Sequence, residues 1–135
     1  MGGMGTEIAL PLGFDAAVEA VTAALAAEGF GVISRIDMDK AFREKIGVDF
    51  RRYAILGACN PKLAHRAVSA RPEVGLLLPC NVTVEEAQGG GSLVRLVDAA
   101  AMMGVGGLAD EPVIAELAAD AGERLGRVAA ALARA

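Results

Sequence analysis

The sequence predicts an α+β fold in which amphipathic helices pack on one face of an antiparallel sheet. The chain has 135 residues, of which 54% are hydrophobic and 22% are charged. This is enough apolar surface for one core, so a single domain over residues 1–135 is expected. Short alternating segments follow one another between turn residues, as antiparallel strands do. Two longer segments repeat apolar residues at helical spacing.

The N-terminal quarter of the chain predicts a strand, a helix and a second strand. The apolar run Thr6–Leu10 ends at Pro11 and predicts the first strand. A helix then begins near Phe14 and ends at Gly29, because glycine is the common residue after a helix C-terminus. Residues 30–38 alternate and predict the second strand. The apolar face of that strand is predicted to hold Phe30, Val32, Ile36 and Met38.

The middle of the chain predicts a third strand and a well-marked helix. Residues 39–46 are charged and predict either a short helix or an irregular connection. Residues 51–58 predict the next strand. Asn60-Pro61 is a helix start, with asparagine as N-cap and proline in the first helical position. This helix is expected to run to about Ala70 and to stop at Pro72.

The C-terminal half predicts two strands and a long helix. Val74–Glu85 has the clearest alternation, with Pro79 marking an edge or a bulge. A loop at Gly89–Gly91 leads into the returning strand Ser92–Val97, and residues 98–108 predict an apolar loop. Asp110 is predicted to cap the last helix, with Glu111 and Pro112 in its first turn. Its inward stripe is predicted to be Ile114, Leu117, Ala121, Leu125, Val128 and Leu132.

The resulting order is β-α-β4-α with small extra helices, and it predicts a two-layer sandwich. Residues 1–5 lack the basic and apolar regions of an export signal and are expected to be disordered. No uncharged apolar stretch is long enough to span a membrane, so no membrane association is expected. We expect a cytoplasmic protein with two reduced cysteines.

The charge distribution bears on possible partners. The net charge is −4 and the pI is about 5.0, which argues against nucleic acid as a partner. Nine basic and four acidic residues between Arg35 and Arg71 give that segment a charge of +5, whereas the rest of the chain carries −9. A locally positive segment attracts a small anion or an acidic partner, or is simply a solvated surface.

Two short motifs carry a family resemblance. Cys59-Asn60-Pro61 lies within residues 55–61, and Leu78-Pro79-Cys80-Asn81 lies within residues 75–82. With residues 29–32, 36–37 and 42–47, they make the sequence resemble the bacterial and archaeal family known as domain of unknown function 302. The resemblance covers residues 10–132. One departure is Asp98-Ala99, where the family often has Asp-Pro.

This resemblance implies a fold more than a function. Family members are similar to one half of the TATA-binding-protein fold, which agrees with the β-α-β4-α order. Sharing a fold with a DNA-binding protein does not imply DNA binding. The activity of the family is not established, so the resemblance implies no catalytic residues and no cofactor.

Cys59 and Cys80 are the candidate reactive residues. Cys59 precedes the Asn60 cap, and a helix N-terminus with Lys62 nearby stabilises a thiolate. The alternative is a small buried residue at the end of a strand. Cys80 lies on the apolar face of its predicted strand, which favours a core thiol. If the two cysteines meet, they suit thiol-dependent redox or sulfur chemistry.

A metal site is a third hypothesis. Cys59, His65 and Cys80 provide three possible zinc ligands. Neither a Cys-x-x-Cys nor a His-x-x-x-His pair is present, so the spacing gives little support. Asn60 either caps its own helix or, with the following amides, binds a phosphate or carboxylate.

No catalytic triad, carboxylate pair or cofactor loop is recognisable, so our first hypothesis is a non-catalytic binding module. A homodimer is expected, with the apolar residues of 102–108 as one possible contact. The charge excess favours a small anionic ligand. The predicted binding residues are Cys59, Asn60, Lys62, Cys80, Asn81 and Arg52.

Overall fold

A computed structural model describes residues 3–135, and Met1 and Gly2 lie outside the described residues. The strands are β1 Gly5–Leu10, β2 Gly31–Asp37, β3 Tyr53–Cys59, β4 Cys80–Glu86 and β5 Ser92–Val97. The helices are α1 Phe14–Ala27, α2 Met38–Ile46, α3 Pro61–Ala70, α4 Ala99–Met103 and α5 Pro112–Ala133. Two 3-10 segments cover Pro72–Leu77 and Val105–Asp110. Because β1 begins at Gly5, the last residue of the predicted disordered segment belongs to the sheet.

The strands form one antiparallel sheet in the order β1-β5-β4-β3-β2. Helices α1 and α5 contact each other and pack on the sheet. The main core lies between these two layers. The predicted α+β sandwich with β-α-β4-α order is therefore confirmed. No helix among residues 3–135 combines the length and apolar character that crossing a bilayer requires.

Helix α1 follows the predicted pattern. Its buried residues are Phe14, Ala17, Val21 and Leu25, at the spacing of an amphipathic helix, and Val18 is only partly buried. Gly29 adopts φ +84° just after the helix. Its left-handed conformation lets the Phe30 N–H donate to the Leu25 carbonyl at 3.0 Å, which closes the helix end.

Strand β2 departs from the predicted alternation. A bulge between Val32 and Ser34 shifts its register against β3. One extra residue reverses the faces of the side chains that follow it. Val32 is half-buried against the core, whereas Ile36 is 51% exposed. The prediction that Phe30, Val32, Ile36 and Met38 share one face is therefore wrong.

The predicted strand over residues 74–85 is also wrong in its first half. Residues 72–77 form a 3-10 segment, and β4 begins only at Cys80. Proline has no N–H to donate, so the ladder with β3 starts after Pro79. Val74 is buried in a second cluster formed with α3, α4 and α5. Leu76 points to solvent and is 88% exposed.

The C-terminal connection is more structured than predicted. Residues 99–103 form α4, whose first turn is capped by a hydrogen bond from the Ala101 N–H to Asp98 Oδ1 at 3.1 Å. The N-cap of α5 is Glu111 and not Asp110. Along α5, Ala118 is buried, whereas the predicted Ala121 is only partly buried. Residues 38–46 form α2, which confirms the short-helix alternative.

Candidate functional site

A cavity of about 280 Å³ lies where β3 ends and β4 begins. Its walls come from this end of the sheet and from α3, α4 and α5. Most of its lining is apolar, and no charged residue contributes to it. The lining from the sheet end includes Phe30, Ile33, Cys59, Asn60, Pro79 and Cys80, and the lining from the helices includes Ala67, Met103, Ile114, Leu117 and Ala118.

The polar part of the lining comes from the end of β3. Cys59 is the last residue of the strand and is half-buried. Asn60 is 9% exposed, and its Oδ1 accepts a hydrogen bond from the Leu63 N–H at 3.3 Å. This is the N-cap that the Asn60-Pro61 signal predicts, and it places the amide of Asn60 in the cavity wall.

Gly29 allows Asn60 to sit in this position. A Cβ at residue 29 would lie 2.9 Å from Asn60 Nδ2 and 3.6 Å from a terminal nitrogen of Arg124. The φ of +84° is also one that side-chain-bearing residues rarely adopt. The turn after α1 is therefore coupled to the start of α3 through a contact that only glycine leaves open.

Cys80 is the buried member of the cysteine pair. It opens β4 opposite Ala58 and is 6% exposed. Burial raises the pKa of the Cys80 thiol to about 11, and the charge of a Cys59 thiolate adds to the rise. A thiol with this pKa is protonated near neutral pH, so it is a poor nucleophile there. Both cysteines are free and line the same cavity.

The sheet beside the cysteines is tightly packed. Gly57 pairs with Ser34 on one side and Asn81 on the other. A Cβ at Gly57 would collide with Ser34 Oγ and would lie 2.7 Å from Pro79 Cγ. Glycine is therefore required here to leave room for Ser34 and for Pro79, which belongs to the cavity lining.

The structure separates the other predicted binding residues from this site. Arg52 precedes β3, so it lies at the opposite end of the strand from Cys59, and the seven residues of β3 span about 20 Å. Arg52 forms an ion pair with Asp15 at 3.1 Å and stacks over the Phe14 ring at 4.1 Å. Lys62 and Asn81 are exposed and do not line the cavity. Of the six predicted binding residues, only Cys59, Asn60 and Cys80 come together.

The predicted metal site is not assembled. His65 is exposed on α3 and is not part of the cavity lining. Within residues 3–135 no three His, Cys, Asp or Glu side chains are grouped closely enough to hold a metal ion. Two thiols alone do not complete the four-ligand set of a structural zinc site.

Sequence reasoning missed the helix-layer wall of the cavity. Ile114 and Leu117 fit the predicted apolar stripe of α5, which by itself indicates a filled core. Alanines of both helices, Ala67 on α3 and Ala118 on α5, contribute to the lining. The alanines are visible in the sequence, but that they border one cavity is not.

Comparison with known proteins agrees with the fold. The model of the family described as "Domain of unknown function DUF302" matches residues 6–132. The crystal structure of an uncharacterized conserved DUF302 protein from Bacillus stearothermophilus is similar, with a TM-score of 0.83 and 26% sequence identity. That similarity covers 97% of this chain and 99% of the other. No curated protein matches significantly. The chain therefore belongs to the DUF302 family.

Proposed function

We propose that this chain is a non-catalytic binding protein whose cavity takes a small, uncharged, mainly apolar molecule. The observation that carries the proposal is a cavity of about 280 Å³ that is already formed in the fold. An apolar cavity of about 150 Å³ is large enough for benzene. The space here therefore suits a molecule with about two fused rings, which is small for a ligand site.

The chemistry of the walls favours a neutral ligand. No lysine or arginine lines the cavity, and moving an anion out of water without a partner charge is costly. Two of the cations that led to the predicted anionic ligand are engaged elsewhere, because Arg51 pairs with Glu85 and Arg52 pairs with Asp15. The third, Lys62, is exposed and does not line the cavity. The amide of Asn60 and the thiol of the half-buried Cys59 are the polar groups of the lining that a polar substituent of the ligand would meet.

The wider setting is also part of the proposal. We propose that the protein acts in the cytoplasm as a homodimer, and the two free thiols suit a reducing compartment. The likeness to half of the TATA-binding-protein fold stays a prediction from the family resemblance. A nucleic-acid partner is not proposed, because the chain carries a net charge of −4.

A thiol-dependent function of Cys59 is the second candidate. The observation that favours it is that Cys59 and Cys80 line one cavity. Cys59 is the more accessible of the two, and Cys80 is protonated near neutral pH. In this alternative, Cys59 reacts with an electrophile held in the cavity and Cys80 is its buried neighbour.

The test compares two probes of the same shape, neutral 2-naphthamide and anionic 2-naphthoate, by naphthyl fluorescence titration. The chain contains no tryptophan that would interfere with the signal. We expect the amide to bind at least tenfold more tightly than the carboxylate, because only the carboxylate must shed a charged hydration shell.

Two variants on α5 locate the binding. Ala118→Phe projects a ring into the cavity and should weaken binding of the amide at least tenfold. Ala119→Phe adds the same ring at an exposed neighbouring position and should leave binding unchanged. Tighter binding of the carboxylate, or equal binding by both variants, would contradict the proposal. Rapid alkylation of Cys59 that 2-naphthamide does not slow would favour the second candidate.

A further inference from the structure

The sheet face opposite α1 and α5 carries a row of alternating charges. Glu7 on β1 accepts a hydrogen bond from Arg95 Nε on β5 at 2.9 Å. Arg95 also donates to Glu85 on β4 at 2.6 Å, and Arg51 contacts the other oxygen of Glu85. The row therefore runs across four neighbouring segments with the signs minus, plus, minus, plus. Its ends are accessible, since the side chain of Glu7 is 42% exposed and that of Arg51 is 50% exposed.

Apolar side chains surround this row. Ile55 pairs with Ile36 and Thr83 across β2, β3 and β4, and all three lie on the same face as Glu85. Leu93 and Val97 flank Arg95 on β5. These residues are exposed or only half-buried, although they alternate along their strands with fully buried core positions. The face is therefore a mixture of apolar surface and paired charges.

We propose that this open sheet face is where a second copy of the chain docks, with the two charge rows in opposite directions; the inference rests on the proposed homodimer. An alternating row of four charges is complementary to its own reversed copy. A two-fold axis parallel to the strands places Glu7 opposite the partner's Arg51 and Arg95 opposite the partner's Glu85. A two-fold axis along the row would instead place like charges together, so complementarity selects one arrangement.

The size of the face is consistent with a reversible dimer. Five strands spaced about 4.8 Å apart, each with about six residues of 3.3 Å rise, cover about 480 Å² per copy. Phe50 packs against Tyr53 on this face, so the free area is smaller, and two copies would bury at most about 1,000 Å², which is near the lower limit for a specific interface. Association in the micromolar range is expected, and added salt should weaken it because the facing charges are partly solvated.

The test uses charge reversal and rescue, read by sedimentation velocity over about 1–200 µM protein, a range that suits a weak interface. In Glu7→Lys, the introduced lysine of each copy meets the partner's Arg51. In Arg51→Glu, the introduced glutamate of each copy meets the partner's Glu7. Each variant alone should therefore dimerise at least tenfold more weakly than the wild type.

An equimolar mixture of these two variants should recover dimers. In the mixed dimer, the lysine introduced in one chain faces the glutamate introduced in the other. The unchanged Arg51 of the first chain and the unchanged Glu7 of the second also face each other, so both contacts again join opposite charges.

Two further variants keep the test decisive. Glu116→Lys reverses a charge on α5, outside the sheet face, and should leave dimerisation unchanged. Ile36→Glu places an unpaired charge on the exposed face and should abolish the dimer, even if Arg51→Glu folds poorly beside Glu85. Far-ultraviolet circular dichroism checks that each variant is folded.

The outcomes separate this inference from the proposed function. Dimers that persist in all face variants, or a mixture that stays monomeric, would overturn the docking surface. A wild-type chain that stays monomeric throughout would overturn both the surface and the homodimer. Neither result affects the cavity, because binding of 2-naphthamide is measured independently and no residue of the charge row lines the cavity.

Discussion

The thiol of Cys80 should react with iodoacetamide about a hundredfold more slowly at pH 8 than a thiol of ordinary pKa. Burial raises its pKa from 9.0 to about 11, with a further contribution from Cys59. The thiolate is the reacting species, and a pKa difference of about two lowers its fraction at pH 8 about a hundredfold. Burial also hinders approach of the reagent, so the pH dependence is more diagnostic than the rate alone.

The same pKa shift predicts a loss of stability in alkali. Because the folded protein holds the Cys80 proton more tightly than the unfolded chain, the stabilisation is fully present below about pH 9. It is lost as the pH rises from about 9 to about 11. The loss amounts to about 3 kcal/mol, since each pKa unit corresponds to about 1.4 kcal/mol. Cys80→Ala removes the titrating group and should remove this part of the pH dependence.

Pulsed alkylation, read by mass spectrometry, follows the two cysteines separately. It is carried out between pH 7 and 10, because a thiol with an ordinary pKa of about 8.5 becomes fully ionised in this range. The urea-unfolded chain provides the reference rate, and Cys59→Ala reports the contribution of the neighbouring thiol. Urea denaturation of the wild type and Cys80→Ala, extended to about pH 11, measures the stability difference across the whole predicted loss. Native labelling of Cys80 at the unfolded rate, or a stability difference independent of pH, would refute the reasoning.

Three further predictions concern residues that position the site and the sheet face. Gly57→Ala should destabilise the fold by about 1–3 kcal/mol in urea denaturation, because the new Cβ meets Ser34 Oγ. Adding Ser34→Ala to Gly57→Ala removes that oxygen and should restore part of the lost stability. Asn60→Ala should cost about 1 kcal/mol by removing the cap of α3, and Asn60→Asp should restore it; equal stability of both variants would contradict the capping role. Burial opposes ionisation of Glu85, but hydrogen bonds from two arginines outweigh it and lower its pKa. Its stabilising contribution is therefore present above about pH 4.3 and lost at lower pH, so acid titration of Glu85→Gln should show a weaker pH dependence than the wild type.

The sequence was sufficient for the order of the elements. The apolar spacing of α1 and α5, the Asn60-Pro61 start of α3 and the glycines before β5 are local signals, and each is fulfilled by local geometry. Their succession also indicated a two-layer arrangement, but only β4 and β5 are joined by a short loop. The connections from β2 to β3 and from β3 to β4 contain helices, and β1 pairs with the distant β5, so tertiary packing decided the strand order in the sheet.

Residues 74–78 show where local pattern misleads. Their alternation suits a strand, but Val74 is buried against α5 and its neighbours, and the strand ladder begins after Pro79. Likewise, the bulge after Val32 exposes Ile36, because a single inserted residue reverses every later face. Neither outcome follows from composition or periodicity.

By itself the sequence determined the fold class, the chain order of the five strands and the long helices, and the N-cap of α3, because these depend largely on residues close together along the chain. Only the tertiary structure decided the site. It brought Cys59, Asn60 and Cys80 together at one cavity and left Lys62, Asn81 and Arg52 outside it. The cavity is bordered by residues of α3, α4, α5 and the ends of β3 and β4, and the charge row joins β1, β5, β4 and the residue before β3. Both arise from packing between elements, which no local pattern specifies.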